Sequence, residues 1–198
     1  MNSTSLRSDS ANRQIALLGV LSLVMMTTRF HHEGSAFSLP DASLAIFFLA
    51  GIFLKSPLSY WVLLMLAAAV DYIAITALSV SSYCISPAYL FLVPTYAAMW
   101  FGGHFFKQAS YRSLKHYALL LALTVVFSSS VAFLISNASF YWLSSNVSGI
   151  GFADYAMGLA GEFSPYVGAT LFYVLAAMGI NALLRSLASI RLSRVDSL

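Results

Sequence analysis

The chain has 198 residues, 60% hydrophobic and only 9% charged, with a mean hydropathy of +0.81. A soluble domain carries roughly 25% charged residues, so this composition excludes a water-covered globule and predicts one all-α integral membrane domain, residues 1–198. A lone cysteine excludes an intramolecular disulfide, and the scattered basic residues behind the +3 charge form no nucleic-acid patch.

The first fourteen residues are polar, and an apolar run follows. A secretory signal has a basic start, a short apolar core and a small-residue cleavage site; here the run reads as a permanent span. About 20 apolar residues cross a bilayer as a helix. Six stretches qualify in chain order: 14–30, 38–55 (short), 57–80, 87–106, 114–137 and 165–184. Three of these begin at a serine followed by proline: Ser56-Pro57, Ser86-Pro87 and Ser164-Pro165. Serine caps the first free amides, and proline fits the first helical position because its missing N–H had no partner there. Asp41 after Pro40 reads as a cap for the second span, and Pro94 as a kink in the fourth.

Six spans put both termini on one side. Nine of the ten basic residues then fall on that side, and only Arg29 lies opposite. The positive-inside rule places both ends in the cytoplasm. The three opposite segments, 27–43, 79–86 and 139–165, collect the unusual residues. They hold Cys84, two of the four histidines, Arg29 and the acids Glu33, Asp41, Asp154 and Glu162. The third segment is rich in glycine and aromatics, as an interfacial belt or a ligand cover would be.

Three signals carry chemistry. Cys84 in "SSYCISPAY" reads either as a small packed residue or as a thiolate favoured by the nearby positive end of the fourth helix. A lone thiolate cannot build a four-ligand metal site, but it can take one axial position on a metal that a macrocycle already holds. Asp71 lies deep in an apolar run, where a carboxylate costs about 2.5–3.5 kcal/mol and needs a partner. It reads either as a structural hydrogen bond to a tyrosine or serine, or as a polar contact in a substrate cavity. Thirteen residues separate it from Cys84, about 20 Å along a straight helix. His31, His32 and Glu33 read as a solvated loop or as one pocket histidine. There is no nucleotide-binding P-loop, no Gly-x-Ser-x-Gly elbow and no H-E-x-x-H.

The segments "TTRFHHEGSAFSLPDAS" and "DYIAITALSVSSYCISPAYLFL", with the length and the six-span pattern, resemble the S-components of energy-coupling-factor (ECF) vitamin transporters. Within that group the chain is most similar to the small proteobacterial BtuM-type cobalamin transporters. The resemblance implies a six-helix S-component bundle in the bacterial inner membrane, with cobalamin or a related corrinoid as the transported ligand. It implies that Cys84 ligates cobalt, and it carries pocket roles onto Asp71, Tyr83, Tyr89, His32 and His31. Thiolate coordination to cyanocobalamin would labilise the cyanide on the opposite face, a catalytic role for Cys84. S-components that dock on a shared energising module often carry Ala-x-x-x-Ala on the first span. Here Ala16 is followed four places on by Val20, a departure that suits a solitary transporter. Two other readings stay open: an S-component for another vitamin or a metal ion, and an intramembrane enzyme with Cys84 as nucleophile and His31 or His32 as base.

Overall fold

A computed structural model describes residues 3–29, 39–77 and 86–195, with side chains from 11 to 190 within those ranges. The described residues form helices joined by short connections, with no strand among them. Six α-helices follow in order: α1 (Ser3–Arg29), α2 (Ser43–Phe53), α3 (Leu58–Ala77), α4 (Leu92–Gln108), α5 (Leu114–Leu143) and α6 (Phe152–Val195). Short 3-10 turns precede α4 (Pro87–Phe91) and follow α5 (Ser145–Val147). Three helices are long and apolar enough to cross a membrane: α3, α5 and the stretch Phe152–Ile190 of α6. The expectation of membrane helices therefore holds in this coarser form.

α2 is the centre of the bundle. Its eleven residues would rise about 16 Å, near half the hydrocarbon thickness. Nine of them are buried, on every side of the helix, which is the signature of a core helix rather than of an amphipathic one. The second predicted span, 38–55, is thus cut short: the helix starts only at Ser43. α4 lies against α2 at backbone contact. A Cβ on Gly103 would fall 2.0 Å from the Phe48 carbonyl oxygen, and one on Gly51 would fall 2.2 Å from that of Trp100. Gly102 likewise leaves room only for the Ser128 hydroxyl of α5. Small residues let membrane helices approach this closely, since apolar side chains gain nothing from leaving lipid. α1 packs on α2 and α3, and α5 joins α4 to α6. Buried hydroxyls return to their own helices, as Thr95 Oγ1 does to the Phe91 carbonyl (2.7 Å) and Ser129 Oγ to that of Val125 (2.8 Å). No described buried side-chain nitrogen or oxygen lacks a partner.

The proline signals divide. Ser86 caps the turn before α4, its hydroxyl accepting from the Ala88 amide at 3.3 Å with Pro87 next in line. Ser56 Oγ accepts from the Leu58 amide at 3.3 Å in the same way. Ser164-Pro165 does not start a helix: Pro165 lies inside α6, which begins at Phe152. The aromatic segment 139–165 is accordingly helical at both ends rather than a loop. Near Pro94 the chain changes from 3-10 to α-helix at Leu92.

Candidate functional site

Arg29 closes α1 and is only 4% exposed. A guanidinium so placed needs acceptors for a planar fork of donors. Asp71 of α3 supplies two in bidentate register: Nε donates to Oδ1 at 2.6 Å and Nη2 to Oδ2 at 2.7 Å. Nη1 faces three more oxygens, those of Asp41 Oδ2 (3.1 Å), Ser43 Oγ (2.9 Å) and the Tyr96 phenol (2.8 Å). One side chain therefore ties together α1, the start of α2, α3 and α4.

Second contacts hold these partners in place. Tyr89, in the capped turn before α4, donates its phenol to Asp71 Oδ2 at 2.8 Å. Asp41 Oδ1 accepts from the Ser43 amide (2.9 Å) and hydroxyl (2.6 Å). The cap expected of Asp41 exists as this contact on the first residue of α2, although the N-cap position itself belongs to Ala42. Thr28 Oγ1 accepts from the Ala42 amide at 3.2 Å. Tyr96 stacks on Phe47 of α2 at 4.3 Å between centroids and 7° between planes, and Tyr60 meets the same Phe47 edge-on at 5.4 Å. Electrostatically the cluster sets one guanidinium against two carboxylates. Removing Arg29 leaves Asp71, and the more exposed Asp41, without this counterion, which is far costlier than the pairs are stabilising.

Of the residues singled out from sequence, the structure joins Asp71 and Tyr89 directly. The partner that Asp71 required is Arg29, with Tyr89 as the second; the tyrosine contact matches the structural reading left open above. Cys84, Tyr83, His31 and His32 lie outside the described residues, and with them the cobalt-ligand and histidine assignments. Arg29 itself was visible in the sequence only as the basic residue on the wrong side. The signal was there: an aspartate deep in an apolar run and an arginine at the end of another satisfy one another far better than either can alone.

Beside this cluster, α5 and the first part of α6 enclose a groove of about 640 Å³. Its lining is largely aromatic: Phe133, Tyr141, Trp142, Phe152, Tyr155 and Phe163. Tyr155 donates to the Asn137 carbonyl at 3.2 Å across it. The rings continue inward, Phe133 meeting Tyr166 at 5.1 Å, and Tyr173 of α6 donates to the Pro40 carbonyl at 2.8 Å, next to Asp41. An apolar groove with few polar anchors suits a large, mostly apolar ligand.

No protein-family model matches the chain, and no curated protein matches it.

Proposed function

We propose that this protein is a BtuM-type corrinoid transporter of the bacterial inner membrane. In this reading its six helices form an S-component-like bundle with both termini in the cytoplasm. The Arg29 cluster then lies toward the periplasmic face. Cys84 binds cobalt of cobalamin as an axial thiolate, and the aromatic groove beside α6 covers part of the ring.

One observation supports this reading best. Asp71 and Tyr89 stand on either side of residues 78–85 in the chain and meet at 2.8 Å in space. The described residues that flank 78–85 therefore converge on the Arg29 cluster. The charge distribution supports the orientation, since nine of ten basic residues fall on the other side.

The test is purification of the full chain with cyanocobalamin, followed by an absorption spectrum and a titration. The parent protein retains a coloured ligand whose bands differ from those of free cyanocobalamin. Cys84→Ala shifts those bands back to the free form. A parent that retains no corrinoid overturns the proposal; unchanged bands in Cys84→Ala remove the thiolate from it.

A further inference from the structure

Toward the other end of α1 the charges are arranged differently. Arg13, Lys55 and Lys107 line a cavity of about 390 Å³. They come from three places: Arg13 lies within α1 where its polar start gives way to the apolar run, Lys55 follows α2, and Lys107 is in the last turn of α4. No carboxylate lines the cavity, and none of the three cations has an ion pair among the described residues. The remaining lining is apolar, from Leu17, Ile52 and Phe53.

Gln14 finishes the floor. Its Nε2 donates to the Phe53 carbonyl at 3.1 Å, and its Oε1 accepts from the Lys55 amide at 2.9 Å. The last carbonyls of a helix carry partial negative charge and repel an anion. Here the Phe53 carbonyl is covered by the Gln14 amide, which offsets part of that repulsion.

We infer that this cavity binds the phosphate headgroup of an anionic phospholipid, with Leu17, Ile52 and Phe53 taking the first carbons of its acyl chains. The argument is complementarity on two counts. Three cations with no ion pair among the described residues suit a phosphodiester, and the apolar floor beside them suits what is attached to it. A free phosphate ion would use only the first. The position at the polar–apolar boundary is also headgroup depth, where basic pockets between helices meet lipid phosphates. This inference does not depend on the corrinoid reading.

The experiment uses the full chain in detergent and native mass spectrometry with added dioleoyl-phosphatidylglycerol, dioleoyl-phosphatidylcholine or inorganic phosphate. The parent retains phosphatidylglycerol over phosphatidylcholine, and millimolar phosphate does not displace it. Each of Arg13→Gln, Lys55→Gln and Lys107→Gln weakens retention by about fivefold. Arg112→Gln with Lys115→Gln, a basic pair outside the cavity, leaves it unchanged. Equal retention in the single variants, or equal loss in the Arg112/Lys115 pair, overturns the site. Displacement by phosphate makes it a free-anion site and overturns the lipid assignment. The single variants change exposed side chains, and helical circular dichroism confirms that they fold.

Discussion

At one end of α1, Arg29 is buried and meets two carboxylates, a serine hydroxyl and a phenol within 3.1 Å. Toward the other end, Arg13 shares a cavity with two lysines and no acid. The two arginines are sixteen residues apart on one helix, about 24 Å, and they have opposite roles. Arg29 is a structural hub whose charge is neutralised within the fold. Arg13, Lys55 and Lys107 have no ion pair among the described residues. A cation's contribution in such a protein follows from what surrounds it, not from its residue type.

Substitutions can break this contrast. Arg29→Ala strands Asp41 and Asp71 and is expected to destabilise by about 3–5 kcal/mol, seen as a large fall in melting temperature in detergent. Arg29→Lys recovers little of it, because an ammonium cannot reproduce the bidentate fork. Arg29→Leu combined with Asp71→Leu is expected to be milder than the sum of the two, as a double-mutant cycle would show. A stable Arg29→Ala variant would end the description of Arg29 as a hub.

Gly103→Leu drives a side chain into the Phe48 carbonyl and separates α2 from α4, at a cost of about 3 kcal/mol. Gly168, whose Cβ position is open, serves as the comparison: Gly168→Ala leaves the melting temperature unchanged or raises it. Tyr89→Phe removes one hydrogen bond to a charged acceptor, worth about 1.5 kcal/mol. Its effect separates the capped turn from the rest of the cluster. Lys107→Gln completes the series at the smallest value, within about 0.5 kcal/mol of the parent. A loss at Lys107 as large as that at Tyr89 would mean that the two ends are not built differently after all.

The contrast was partly legible in the sequence. Long apolar runs identify α3 and α5 to within a few residues, because membrane length and composition constrain them together. Ser86-Pro87 announces its turn, since capping is a local affair of two residues. Ser164-Pro165 misleads for the same reason: the local signal is identical, yet Pro165 lies thirteen residues inside α6. The length of α2 was not legible, because an apolar run reads alike whether it crosses lipid or ends halfway inside protein. Asp71 was legible as a residue that needs a partner. Which partner depends on where the ends of α1 and α3 come together, and no local pattern encodes that. The cavity around Arg13 is a tertiary product too, assembled from the middle of α1, the end of α2 with the connection after it, and the end of α4.

The glycine seam between α2 and α4 has a mechanical consequence. Where two main chains touch with no side chains between them, neither can roll or slide without first lifting off the other. That pair is a keel: any rearrangement of the described helices carries α2 and α4 as a single body.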